Sequence, residues 1–177
     1  MKKTSSAIQN EMQTQVNIAL NNYEIVDGIL YGSGLNIYEQ LGIRIVEDIE
    51  IEHTEPVQIA DSVIHVDTHN GGTTVFLNDS AELYRIGDNI DGQLRGPIEE
   101  SGRRKSEKRY VTTPSLIATN VKYAVAGSDF VVILKQDGNL YVVGDNGNGQ
   151  LGDGKAKPDI ERNTVLTVLH FHMSLNM

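Results

Sequence analysis

The sequence predicts an all-β chain made of repeated antiparallel sheets, and three observations predict it. The segments "LYGSGLNIYEQLG" ending at Gly42, "LYRIGDNIDGQLR" ending at Arg95 and "LYVVGDNGNGQLG" ending at Gly152 share the pattern L-Y-x-x-G-x-N-x-x-x-Q-L. Their matching glycines, Gly34, Gly87 and Gly144, lie 53 and 57 positions apart, the mark of an internal structural repeat. Between the motifs, short apolar and β-branched runs alternate with Gly, Pro, Asn and Asp clusters, which leaves room for about four short strands per unit. A unit of that size suits one blade of a β-propeller, so the expected architecture is a partial propeller: about three blades of four-stranded antiparallel sheet in an open arc.

Taken in chain order, the N-terminal stretch has two readings. Ile8, Met12 and Val16 at four-residue spacing suit an amphipathic helix, whereas Val16, Ile18 and Leu20 alternate as a strand. The expectation is a helical or irregular segment over 1–15, then a strand from about residue 16 that completes the first blade. The repeat domain runs over 16–168, with motifs near 28–42, 77–96 and 127–152, followed by a tail over 169–177.

The third unit is the most regular. "YAVAG" reads as a short strand and "FVVILK" (Phe130–Lys135) as a near-continuous apolar run, the kind that is buried on both faces. Asp137-Gly138, between "FVVILK" and "NLYVV", predicts a tight hairpin with both turn positions at positive φ. The second unit carries Ser80-Ala81 at the aligned positions, so a turn of different type or looser geometry is expected there. Upstream of their glycines, Leu77 and Leu134 are equivalent; downstream, Pro56, Pro114 and Pro158 each precede a valine (Val63, Val121, Val165) by seven positions.

Gly147, Gly149 and Gly152 also spell G-x-G-x-x-G, the spacing of a dinucleotide-binding loop. That loop must open a helix whose N-terminal amides face the pyrophosphate. Here "LGDGKAKPD" follows, with Gly152, Gly154 and Pro158, and no helix can start there. A calcium loop fails on register, since Gly147 stands two positions after Asp145 where an oxygen ligand belongs. The glycines are instead given a structural task, turning the backbone sharply where successive sheets meet. Asn36, Asn89 and Asn146 recur at one motif position; Gln40, Gln93 and Gln150 are expected to hydrogen-bond loop backbone. Leu41, Leu94 and Leu151 are expected to plug the space between blades, and Gly42 and Gly152 close the motif.

Composition narrows the function. Fifteen Lys and Arg against twenty-four Asp and Glu give a net charge of −9, which argues against a general nucleic-acid surface. No stretch approaches the roughly 20 apolar residues of a membrane-spanning helix, so no membrane partner is expected. Cysteine is absent, which removes disulfides and thiolate metal sites together. Met1-Lys2-Lys3 is followed by polar residues and not by the apolar core of a secretory leader, so a cytoplasmic location is expected.

Other constellations are weak. His65 and His69, and His170 with His172, lack a third ligand and read as packing or surface histidines, and no metal or cofactor is expected. Ser33 in "YGSG" lacks the full G-x-S-x-G pattern, and no catalytic set emerges. The segment "SGRRKSEKR" lengthens the second unit between its motif and its proline. Its Arg103, Arg104, Lys105, Lys108 and Arg109 are the candidates for contact with an acidic partner.

L-Y-x-x-G-x-N-x-x-G-Q-L-G, preceded by an L-x-x-D-G hairpin and followed by a proline and a spaced valine, resembles the repeat of the regulator of chromosome condensation family. The third unit matches from Gly127 to Gly152. The second has Arg95 in place of the last glycine; the first has Glu39 for the glycine before Gln40, and Glu24 where the buried leucine belongs. The resemblance implies seven-bladed propellers of four-stranded blades, for which this chain is too short, hence the open arc whose terminal edges invite pairing with a second copy or another protein. The function it implies is non-catalytic: a protein-interaction module with a protein partner. Its alternatives are a guanine-nucleotide exchange factor acting on a small GTPase, or a propeller-type protein inhibitor of an enzyme.

Overall fold

A run of alternating or apolar residues closed by a Gly, Asn or Asp turn has one inexpensive way to satisfy its backbone, which is to pair with the next run. The chain does this throughout. The computed structural model describes residues 14–18, 21–44, 52–69, 72–88, 110–128, 130–152 and 167–169. They form three four-stranded antiparallel sheets, each a simple meander. The first comprises β1 (Thr14–Ile18), β2 (Asn21–Val26), β3 (Ile29–Leu35) and β4 (Glu52–Ala60). The second comprises β5 (Val63–Thr68), β6 (Thr73–Asn78), β7 (Leu83–Asp88) and β8 (Tyr110–Ala118); the third, β9 (Val121–Ala126), β10 (Phe130–Lys135), β11 (Leu140–Gly144) and β12 (Thr167–Leu169). The architecture is a partial β-propeller, and no helix among the described residues is long and apolar enough to cross a membrane. The N-terminal strand begins at Thr14, inside the 1–15 segment expected to be helical or irregular; residues 1–13 lie outside the described residues.

The hairpins correct two expectations. In the third sheet Lys135 N donates to Asn139 O at 2.9 Å and Gly138 N to Lys135 O at 3.1 Å, a three-residue turn in which Gly138 (φ 88°) has positive φ and Asp137 does not. The Asp137 carboxylate instead accepts from the Asn139 amide at 2.9 Å, fixing the turn locally. The second sheet repeats this geometry and is no looser: Asn78 N donates to Glu82 O at 3.0 Å, Ala81 N to Asn78 O at 3.1 Å, and Ala81 takes the left-handed place at φ 61°. Only the first sheet has the two-residue turn with both residues at positive φ, at Asp27 (50°) and Gly28 (77°).

That shorter turn moves the register by one residue. Ile25 pairs with Leu30 as Leu77 pairs with Leu83 and Leu134 with Leu140. The place of the buried leucine is therefore held by Ile25, which is buried, and not by Glu24, which pairs with Tyr31 on the other face.

Successive sheets are joined by two residues, 61–62 and 119–120, and the joint is fastened the same way each time. Val63 N donates to Gly28 O (2.8 Å) and Val121 N to Ala81 O (3.0 Å), while Asp79 N donates to Ser62 O and Gln136 N to Asn120 O, both at 2.9 Å. Val63 and Val121 thus open the first strand of the following sheet; Val165 lies outside the described residues.

Two apolar cores lie between the sheets. One joins Tyr23, Ile25, Leu30 and Leu41 of the first sheet to Val63, Val66, Phe76 and Ile86 of the second. The other joins Val75, Leu77, Leu83 and Ile117 of the second to Val121, Ala124, Val131, Ile133 and Val143 of the third. Two polar side chains of β5 reach across the second junction to the backbone of β9: Asp67 accepts from Ala126 N at 2.7 Å, and His65 Nε2 lies 2.9 Å from Ala124 O with its ring against Tyr123.

A left-handed alanine costs about 1 kcal/mol or more relative to glycine. Ala81→Gly is therefore expected to stabilise the chain by about 0.5–1 kcal/mol after the extra unfolded-state entropy of glycine is subtracted. Urea midpoints of the two proteins check this; a destabilised variant contradicts the turn assignment.

Candidate protein-interaction rim

In a meander the connections alternate between the two ends of the strands. The β2–β3, β6–β7 and β10–β11 hairpins and the two-residue links share one rim of the arc. The longer third-to-fourth-strand connections, which carry the repeated motif, share the other: 36–51, 89–109 and 145–166.

The motif explains how these connections are held. In the first, the Asn36 carbonyl accepts from Glu39 N (2.9 Å), its side-chain oxygen accepts from Leu41 N (2.9 Å), and its Nδ2 donates to Ile43 O (2.8 Å). In the third, Asn146 O accepts from Gly149 N and Asn146 Oδ1 from Leu151 N, both at 3.0 Å. The glutamine closes the same turn from inside: Tyr38 N donates to Gln40 Oε1 and Asn148 N to Gln150 Oε1, each at 2.9 Å. Leu41 and Leu151 are thereby driven inward and fully buried. Glu39, in place of the glycine of the third unit, adopts the same left-handed conformation (φ 57° against 76° for Gly149). Asn89, Gln93, Leu94 and the cationic Arg103, Arg104, Lys105, Lys108 and Arg109 lie outside the described residues. The strands that bracket them are described, with Gly87 paired to Val111 and Asp88 to Tyr110.

The rim is continuous from the first sheet to the second. Tyr38 lies so close over Gly72 that a side chain there would overlap its ring, and a Cβ on Gly87 would run into the Gly72 carbonyl oxygen. Asp88 N donates to that oxygen at 3.1 Å, so backbone meets backbone where Gly87 stands. Gly34, Gly87 and Gly144 all have φ above 100°. Beneath the loop, Tyr23 OH donates to Gln40 O at 3.2 Å and lies 3.0 Å from the Thr74 hydroxyl of the second sheet. Burial pushes the Tyr23 phenol up to about 12, against hydrogen bonds with Thr74 and Thr68 that pull it down.

The histidine candidates separate. His65 is committed to the β9 backbone, as described; His170 and His172 lie outside the described residues. The β5-to-β9 contacts of His65 and Asp67 escape a sequence reading, because they link residues 59 positions apart with no local pattern.

A family model described as "Regulator of chromosome condensation (RCC1) repeat" matches residues 121–150, from the start of β9 to the motif glutamine. The secretion-regulating guanine nucleotide exchange factor of Mus musculus is 30% identical over 128 residues, 70% of this chain. The chain belongs to the regulator of chromosome condensation repeat family. The Bos taurus exchange factor of the same name is 31% identical over 125 residues. The chain spans about a quarter of these relatives, 26% and 25% of their lengths. Among solved structures, Prp20p from Saccharomyces cerevisiae matches with a TM-score of 0.71 at 21% identity, covering 91% of this chain and 39% of that one. Human WBSCR16 matches with a TM-score of 0.65 at 18% identity, covering 92% and 39%. Both structures share the fold of this chain over about nine-tenths of its length.

Tyr23→Phe tests the buried junction under the rim. Because the phenol ionises near 10 in the unfolded chain and near 12 in the folded one, its contribution is whole below pH 10 and is lost as pH rises toward 12. The variant is expected to be less stable by about 1 kcal/mol near neutral pH, for the lost hydrogen bond. That deficit should close and reverse above about pH 11, since the wild type alone forfeits about 2–3 kcal/mol over the interval. Urea titrations across this range check it, and a gap independent of pH contradicts it.

Proposed function

We propose that the chain is a non-catalytic protein-interaction module that presents its motif rim to a protein partner. The observation that carries this reading is the shared construction of the 36–44 and 145–152 loops, each locked by an asparagine, a glutamine and an inward leucine on the same rim. Rigid loops on a common edge offer a preorganised surface, and loops on a constant scaffold are where such proteins vary their partners. The 89–109 connection leaves and re-enters the same rim between Asp88 and Tyr110. In a chain of net charge −9 its Arg103, Arg104, Lys105, Lys108 and Arg109 concentrate positive charge, which suits an acidic patch on the partner.

A second reading is nucleotide exchange on a small GTPase. It is favoured by the similarity to the secretion-regulating guanine nucleotide exchange factors over 70% of the chain. Exchange needs binding and distortion of the GTPase and no bond chemistry in this chain.

Two measurements separate the readings. Exchanging the five cations of 103–109 for serine is expected to weaken capture of a specific partner at least about tenfold, with the circular dichroism unchanged. An identical set of captured proteins for variant and wild type would refute the basic contact. Release of fluorescent GDP from a panel of small GTPases is expected to be unchanged by the chain; acceleration would replace the first reading with the second.

A further inference from the structure

A four-stranded meander has two edges, and in this chain the two are finished differently. The opening strands β5 and β9 lie against the preceding sheet. The closing strands β4 and β8 are paired on one side only among the described residues, with β3 and β7. At nine residues each they are also the longest strands described. A long edge strand holds out a row of backbone donors and acceptors to any strand that suits it, and the same edge of a second copy is of identical sequence.

Both closing strands are interrupted at the same two places. Ile59 is the extra residue between the pairs Leu30–Ala60 and Tyr31–Gln58, and Ile117 between Leu83–Ala118 and Tyr84–Leu116. These bulges serve the interior, since Ile117 is buried in the second core and Ile59 packs against the first. The second interruption faces outward instead. Between Gly32–Val57 and Gly34–His53, residues 54–56 stand opposite Ser33; between Arg85–Ser115 and Gly87–Val111, residues 112–114 stand opposite Ile86. Residues in excess of the partner strand lack a ladder partner, so their backbone groups are the ones most available to another strand. At the end of each excess stretch stands a proline, Pro56 or Pro114, with no N–H to offer and a ring where a neighbouring strand would approach. The recurrence of proline seven positions before Val63 and Val121 is therefore a recurrence at the edge.

The two edges differ in what else defends them. β4 (EHTEPVQIA) carries Glu52 and Glu55, both exposed, and pairing of two such edges would bring like charges together. β8 (YVTTPSLIA) contains no Asp, Glu, Lys or Arg, and is otherwise rich in the β-branched and apolar residues of segments that join edge to edge. The Thr112 carbonyl lies close to Gly42 of the preceding loop, and beyond it Thr113 is exposed. Proline is thus the main barrier on β8 and a second barrier on β4.

We propose that Pro114 keeps the β8 edge from pairing with the β8 edge of a second copy, a duty that Pro56 shares with the two glutamates of β4. Thioflavin T fluorescence and the sedimentable fraction of the full chain, followed with time in native buffer, test this. Pro114→Val restores the N–H and suits an extended backbone. It is expected to speed aggregation at least about tenfold with the urea midpoint unchanged, and adding Thr113→Lys should return the rate to that of the wild type. Pro56→Val is expected to stay within about twofold of the wild type until Glu52→Gln and Glu55→Gln are added, which should bring it to the rate of Pro114→Val. That series reads the same device on the other edge should Pro114→Val fail to fold. An unchanged rate for Pro114→Val overturns the proposal. Acceleration with a lowered urea midpoint and no rescue by Thr113→Lys overturns it too, being the result expected of a proline that only stiffens the bulge. So does Pro56→Val aggregating as fast as Pro114→Val with both glutamates in place.

Discussion

Each four-stranded sheet in this chain satisfies its own backbone but cannot bury its own side chains, and everything else follows from that division. Hydrogen bonds run within sheets; apolar contact runs between them. The first junction is an apolar cluster pierced by one polar thread, in which Tyr23 bonds the Gln40 carbonyl and meets Thr74 of the next sheet. A buried hydroxyl left without those partners would cost about 1–3 kcal/mol, a large part of what burial of its ring gains, so the thread fixes the relative placement of the two sheets as well as adding to their adhesion. At the second junction the same duty falls to His65 and Asp67, which grip the outer backbone groups of β9.

The repeated motif is subordinate to this stacking. Its asparagine and glutamine fold a connection tightly enough that the next residue, Leu41 or Leu151, is turned back into the interior. Without the Asn36 side chain accepting from the Leu41 amide, the loop has no reason to reverse at that point. The unequal spacing of the motif glycines has the same logic. The 89–109 connection is five residues longer than 36–51, and the 127–129 link is one shorter than 69–72. The net four positions separate the spacings of 53 and 57. All of the variation lies in connections, none in the strands that must register with a neighbour.

What the sequence made legible was therefore periodic and local. The repeats, the strands and the inward leucines could be read because each depends on residues a few positions apart. The G-x-G-x-x-G of the third unit could be set aside because a helix after Gly152 was impossible. The misreadings share a cause, which is counting along the sequence where the chain counts by pairing partners. Asp137-Gly138 suggests a tight turn with both residues at positive φ, but Asp-Gly closes such a two-residue turn after β2 and a three-residue turn after β10. That single residue is why Glu24 was aligned with a buried leucine whose place Ile25 takes. Ala81 looked like the end of the turn pattern, although its neighbours bond as those of Gly138 do and it carries the strain. The His65 and Asp67 contacts had no local signal at all.

The burial of a strand here is a property of its neighbours, and its sequence records which neighbours it is built for. TTVFLN and FVVILK are both continuous apolar runs, yet one is covered on two faces and the other on one. NNYEIV alternates, and its polar positions fall on the side with no adjoining sheet. Alternation in a first unit and continuity in a later one are therefore different statements about assembly made in the same code. The first leaves its polar positions on a face with no adjoining sheet among the described residues. The second carries apolar residues on its covered face and its half-buried face alike. Periodicity usually serves to tell helix from strand; in a stack of sheets it also records how many faces a strand is composed to bury.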